Sequence, residues 1–361
     1  MRLSTALVTS TTAVLALGGA LAPTALAATA AASTAATPAG LAAGTGTKPA
    51  TSSTPPLIAV VTNLTTRPPY DHLLVKEGKL SASWINEHSN VAQVAVASDP
   101  VHGPLIAALT QDGTLLVKEG KLTAKWHTEY SGVSKVAVAS DPTNGPLIAL
   151  VTTKGEVLAK EGSLSAPWTR EHSGVSGVAS ETTIAVASDP AHGPLIAIAT
   201  STGKVLVKEG SLSVGWTTEY SGAYQVAVAS DTKHGPLIAA LTNKGELMVK
   251  QGTLTASWHH EHGGVGSMAV ATDPTHGPLI AIVLFQPDNS LGDLLVKEGT
   301  LAAPWHHEHI EVSDTSVASD PSLGPLIGLT TYLSQALVKE GKLNAGWHDE
   351  HAKTSQIAVA G

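Results

Sequence analysis

Residues 136–172 read VAVASDPTNGPLIALVTTKGEVLAKEGSLSAPWTREH, and their punctuation decides the fold. Four short β-rich stretches follow one another: VAVASD, in which Ala137 and Ala139 alternate with Val136 and Val138, then PLIALV, EVLAKEG and a last one opening at WTREH. Period-two alternation over stretches this short is the mark of a strand. The breaks have a chemical basis. Asp141-Pro142-x-x-Gly145 supplies an Asx acceptor, a fixed φ and a residue tolerant of φ > 0, and Lys154-Gly155 ends the second stretch in the manner of a hairpin. Four strands in about 40–45 residues make the unit of a β-propeller blade.

The unit recurs along the chain. The seven tryptophans stand at 84, 126, 168, 216, 258, 305 and 347, at spacings of 42, 42, 48, 42, 47 and 42 residues. Such a period signals an array whose units bury their faces on one another. The first unit begins at Pro56-Leu57 without an innermost strand, whereas the chain ends in Gln356-Ile357-Ala358-Val359-Ala360-Gly361, an innermost strand with nothing after it. Each completes the other. The expected fold is therefore an all-β, seven-bladed propeller of four-stranded blades over 56–361. Its ring closes by pairing of the C-terminal strand with Leu57–Val61, which removes the open edges.

Composition bounds the rest. The chain has 361 residues, a formal charge of −8 and no cysteine. Residues 1–27 read as a secretory signal: a short basic start at Met1-Arg2, an apolar run from Ala6 to Ala22, and Ala25-Leu26-Ala27 as an A-x-A cleavage site. A secreted, extracellular product follows, and without cysteine its fold must be held by its own core. Residues 28–55, almost entirely Ala, Thr, Ser, Pro and Gly, read as a disordered linker. No later stretch reaches the roughly 20 apolar residues of a membrane span, so no membrane insertion is expected. Singly recurring lysines on an acidic chain argue against nucleic acid, which needs a clustered basic surface.

In such a ring the loops after the first and third strands of each blade emerge on one face, here called lower, with the second hairpin and the crossovers on the upper face. Three departures from the period, at 63–70, 177–182 and 285–288, fall on the upper face. The regular polar equipment lies on the lower. There the turn reads Asp-Pro-x-His-Gly, or Asp-Thr-Lys-His-Gly, at His102, His192, His234 and His276, with Asn144 and Leu323 in the same place elsewhere. Turn chemistry accounts for Asp, Pro and Gly but does not require the histidines. With a nearby tryptophan they offer hydrogen bonds and a stacking surface, which suits a saccharide.

The outer strand carries Trp-x-x-Glu followed by His or Tyr, twice as WHHEH, at 258–262 and 305–309. On a regular strand Trp258, His260 and His262 would share one face and His259 and Glu261 the other. The column's final ring is Tyr at 130 and 220, a poor zinc ligand, and HExxH is absent, so neither a metal site nor a cofactor is expected. Each of Trp84, Trp126, Trp168, Trp216, Trp258, Trp305 and Trp347 has two readings, a wedge packed between blades or a platform for a sugar ring. Lys-Glu-Gly closes the third strand in six units and Lys250-Gln251-Gly252 in the seventh. These charges are expected to pair laterally with the Trp-x-x-Glu glutamates of the adjacent strand, an exposed contact of small value. Acids in near-equivalent copies do not give the unlike pair that a glycosidase needs, and no catalytic residue is expected.

Seven four-strand repeats, each with one Trp opening the outer strand as in KEGSLSVGWTTEYSG at 208–222, resemble the secreted bacterial seven-bladed propeller lectins, including the fucose-binding type. They are more distantly similar to tachylectin and tectonin repeats. The resemblance covers 56–361 and implies pockets between or within blades that use Trp and polar loop residues. The Lys-Glu-Gly and Asp-Pro-x-His-Gly elements depart from the tectonin pattern. The resulting expectation is a non-enzymatic, multivalent carbohydrate-binding protein with surface or environmental glycans as partners. The alternative is a scaffold for a secreted protein partner, bound through the upper-face loops.

Overall fold

A computed structural model describes residues 55–62, 71–173, 175, 183–284 and 292–361. The segment 1–27, the linker up to residue 54 and the three upper-face insertions lie outside the described residues. Among those described there are 27 strands and no helix. They make seven four-stranded antiparallel blades: five separate sheets, and a seven-stranded one in which the long strand His306–Asp320 is the outer strand of blade 6 and continues as the inner strand of blade 7.

Blade 1 is composite, as the sequence implied. Its order is Thr354–Ala360, Leu57–Thr62, His72–Glu77 and Ile85–Ser89. The closing pair runs antiparallel from Leu57 opposite Ala360 to Val61 opposite Gln356. The ring is thus shut by main-chain hydrogen bonds between the two ends of the propeller sequence.

Blade 3 shows why these residues form these elements. Val133–Asp141, Gly145–Thr152 and Glu156–Glu161 are almost wholly buried, because blades stack face on face and leave the inner strands no solvent side. The outer strand Thr169–Ser173 is exposed or half-buried. Small and branched side chains alternate on the inner strands, Ala137 and Ala139 with Val136 and Val138, so neighbouring sheets can interdigitate in the narrow part of the wedge. Glutamine side chains then tie inner strands together: Gln93 Nε2 donates to the carbonyl of Val136 at 3.0 Å, and Gln356 Oε1 accepts from the amide of Val94 at 2.9 Å.

Strict alternation fails on the outer strand. In every blade the register shifts at the Trp-x-x-Glu glutamate, so that Leu115 faces Tyr130 while Leu116 faces Thr128 and Glu129 is the extra residue. The same bulge falls at Glu87, Glu171, Glu219, Glu261, Glu308 and Glu350. A bulge re-aims a side chain. The expectation that Trp258, His260 and His262 share a face is corrected accordingly: Trp258 packs on Tyr220 of the preceding blade, His262 on Trp305 of the following one, and His260 turns outward to Glu246.

Candidate functional site

Two rings of side chains organise the seams between blades. The outer one starts from Lys76, Lys118, Lys160, Lys208, Lys250, Lys297 and Lys339 near the end of the third strands. All seven are buried. Each ammonium pairs with the bulged glutamate of the preceding blade: Lys76 with Glu350, Lys118 with Glu87, Lys160 with Glu129, Lys208 with Glu171, Lys250 with Glu219, Lys297 with Glu261 and Lys339 with Glu308. This corrects the expected exposed pairing within a blade. The physical reason is the bulge, which points the carboxylate across the seam, and no side chain of these pairs is more than 6% exposed.

Each lysine is further satisfied by a carbonyl four residues on, as Lys160 by Leu164, and lies 4.6–5.4 Å from the ring centroid of its own blade's tryptophan. A desolvated ammonium over an indole gains a cation–π interaction in addition to the ion pair. The tryptophan is committed on other sides too. The indole N–H groups of Trp84, Trp126, Trp168, Trp216, Trp258 and Trp347 donate to the backbone carbonyl of the same glutamate. The His or Tyr that follows that glutamate meets the ring edge-on, at 5.1–6.1 Å between centroids. All seven indoles remain half-buried, so part of each ring is still presented to solvent.

The inner ring is the lower-face turn. Asp99 Oδ1 accepts the amides of Val101 and His102, while Oδ2 accepts the hydroxyl of Ser140 from the next blade. Equivalent links join Asp141 to Ser188, Asp189 to Ser230, Asp231 to Thr272 and Asp273 to Ser319. Asp320 holds its own turn through Ser322 and Leu323, but the serine position facing it is Gly361. Each turn also needs its glycine: a Cβ on Gly103, at φ +75°, would stand 2.6 Å from the carbonyl oxygen of Gly120.

The turn histidines emerge from this ring already oriented. Nδ1 of His102, His192, His234 and His276 lies 3.0–3.1 Å from Asp99, Asp189, Asp231 and Asp273 respectively. A carboxylate only accepts, so the proton of a neutral ring resides on Nδ1 and Nε2 is left as an acceptor. The four imidazoles are 24–32% exposed. Asn144 makes the same contact in blade 3, Nδ2 to Asp141 at 2.9 Å.

Beside three of these imidazoles stand carboxyls of the Lys-Glu-Gly motifs, for which the sequence offers no partner. Burial pushes Glu119 above the usual carboxylate range, with His102 opposing and Asp99 reinforcing the shift. Glu209 with His192 and Asp189, and Glu298 with His276 and Asp273, repeat the arrangement. Glu161 and Glu340 are raised by burial as well. The available signal was the Lys-Glu pair itself: adjacent residues on a strand face opposite ways, so the lysine that enters the seam sends its neighbour elsewhere. Among the described residues no group of three or more His, Cys, Asp or Glu is disposed to hold a metal ion.

Comparison with protein-family models and with curated protein sequences finds no match. Solved structures share the fold at low identity. A lectin of Burkholderia pseudomallei, BP39L, superposes with a TM-score of 0.55 at 12% identity over 83% of this chain and 99% of its own. The SapL1 lectin, solved with alpha methyl fucoside, gives 0.51 at 11% over 74% and 98%. BBS1N, solved in complex with ARL6DN, gives 0.52 at 15% over 76% and 85%. The chain is an all-β, seven-bladed propeller with lectins among its structural neighbours.

Proposed function

We propose that this protein is a secreted, non-catalytic propeller that binds carbohydrate multivalently through the lower-face seams. The observation that carries the reading is the repeated pair there, an Asp-oriented imidazole presenting Nε2 with a half-buried glutamate beside it; a half-buried tryptophan opens the outer strand of the same blade. Sugar hydroxyls donate and accept at once, so a fixed acceptor next to a carboxyl suits them, and an indole suits the C–H face of a pyranose. Near-equivalent copies around one ring favour avidity over a single reaction centre. Propeller lectins among the structural neighbours agree with this reading at the level of fold.

The test follows from blade 3, where Asn144 replaces histidine without loss of the turn. A variant carrying His102→Asn, His192→Asn, His234→Asn and His276→Asn should melt like the wild type and lose retention on the glycans that a glycan array identifies. A blank array with the wild-type protein overturns the reading.

One observation favours a protein partner as a second reading. Ile310, Tyr332 and Leu333, at 55%, 54% and 75% exposure, stand together on the upper rim of blade 7, where the Tyr332 amide donates to the Glu311 carbonyl. The matching hairpin tips of other blades are polar, as Gln111-Asp112 and Asn243-Lys244. If this patch is the functional surface, Leu333→Lys abolishes capture of a secreted partner and leaves glycan retention untouched.

A further inference from the structure

Among the described residues the lower-face Asp-Ser link crosses five seams and is missing at the two that flank blade 1. Where blades 3 to 7 follow a neighbour, the incoming blade brings its Asp-to-Gly turn, which links its first and second strands and meets the turn before it; Asn144 Nδ2, for instance, donates to the carbonyl of Asp189 at 3.4 Å. Between blades 7 and 1 no turn can do so, because the inner strand Thr354–Ala360 and the second strand Leu57–Thr62 are not consecutive in the chain. A cleft of about 700 Å³ opens at that place, inside the roughly 300–1,000 Å³ usual for small-molecule sites.

The walls of the cleft differ in character. Pro56 and Leu80 of blade 1 and Leu323 of blade 7, the last in the position of the turn histidine, give it apolar surface. Glu340, His348 and Asp349 of blade 7 and Ser81 of blade 1 give it polar groups. Glu350 also borders it, but its carboxylate is committed to Lys76. Burial raises the Glu340 carboxyl, which His348 opposes and Asp320 reinforces. Lys79 is the cation that answers these acids at the rim, and it is exposed, so its charge is well screened.

We propose that this cleft is a saccharide site, filled once per chain, that takes the non-acidic end of a glycan. It rests on the carbohydrate-binding reading and singles out the seam that closes the ring. The apolar wall receives a pyranose face and the Glu340, His348 and Asp349 side its hydroxyls or an amine. A uronic acid would place its carboxylate against Glu340 and Asp349 and is rejected.

Calorimetric titration of the full chain carrying His102→Asn, His192→Asn, His234→Asn and His276→Asn, which silences the repeated seams, with maltotriose, a glucosamine trimer and a galacturonate trimer tests this. One equivalent of the neutral or amine-bearing trimer should bind and the galacturonate trimer should not. Leu323→Trp, which fills the cleft, should weaken binding at least tenfold. Leu323→His, which restores the residue of four other blades, should weaken it in the same direction and keeps the test informative if the tryptophan variant misfolds. A positive glycan array combined with preference for galacturonate, several equivalents per chain, indifference to both Leu323 substitutions, or no heat with any of the three trimers overturns the seam assignment and leaves the lectin reading standing. A blank array removes the lectin reading itself.

Discussion

The outer Lys-Glu-Trp ring and the lower Asp-Ser ring cross the same seams, yet only the outer one is continuous. Its seven ion pairs include Lys76–Glu350, which bridges the two ends of the propeller sequence with the same partners as every other seam. The Asp-Ser ring has five links among the described residues and lapses on both sides of blade 1. The difference lies in what each ring asks of the chain. The outer ring uses residues inside third and outer strands, which blade 1 possesses; the lower ring uses the turn between first and second strands, which a composite blade does not. A propeller closed by strand exchange therefore keeps its buried electrostatics whole and leaves its irregularity on the lower face, where a ligand can use it.

Breaking the outer ring should have the largest effect. Lys160→Met strands Glu129 in a buried seam without its cation, and removing one partner of a buried pair costs about 3–5 kcal/mol. Chemical denaturation should show that loss, and Lys76→Met should show a similar one at the closing seam. A loss below about 1 kcal/mol in either would mean that the pairs behave as exposed ones.

The lower ring predicts an unequal pair. Asp141 holds the amides of Thr143 and Asn144, the Asn144 side chain and the Ser188 hydroxyl, whereas Asp320 holds the amides of Ser322 and Leu323. Asp141→Ala should cost about 2–3 kcal/mol, and Asp320→Ala about 1 kcal/mol less, since each lost charge-assisted bond also leaves a buried donor unmet. The comparison is sharpened by Gly361→Ser. A Cβ there would lie 3.7 Å from Asp320 Cβ, an ordinary contact, so the new hydroxyl can complete a sixth link. A gain of about 0.5–1 kcal/mol is expected in thermal melting. No gain, or equal costs for the two alanine variants, would show that the link is not what distinguishes the seams.

Much of this was legible in the sequence, and the remainder hid for a definable reason. Trp spacing, turn residues and the unpaired ends gave blade count, strand order and the closing partner, Leu57–Val61; the register came with the structure. What escaped was direction. A lysine in six Lys-Glu-Gly motifs reads as surface charge, because a single sequence does not show that Glu129 sits on a bulge that turns it toward Lys160. Once that lysine is taken inward, the neighbouring glutamates must lie near the turn histidines, and the lower-face cluster follows. Of the two readings of the tryptophans, only the wedge between blades places them at the seams, where they stand. Their commitment to lysine, carbonyl and ring edge is a tertiary fact that no pattern within one repeat contains.

The smallest predicted effect separates the two kinds of glutamate. Glu209 sits one residue beyond the buried Lys208 but is raised above the ordinary carboxylate value of 4.5 by burial, with Asp189 adding to and His192 opposing the shift. The folded protein then holds more protons at this site than the unfolded chain in the window just above pH 4.5, so the group's contribution to stability falls as pH rises through it. Below that window both states are protonated and the penalty vanishes. Glu209→Gln should accordingly raise the melting temperature at neutral pH, by less than Gly361→Ser does, and the gain should fade on acidification to pH 4. Blade 5 already carries the substitution, with Gln251 in the equivalent place. Glu171, on the neighbouring outer strand, is the contrasting case: Glu171→Gln removes the partner of Lys208 and should destabilise at neutral pH, so opposite signs for two substitutions of one type in a single seam would mark which ring each carboxylate serves.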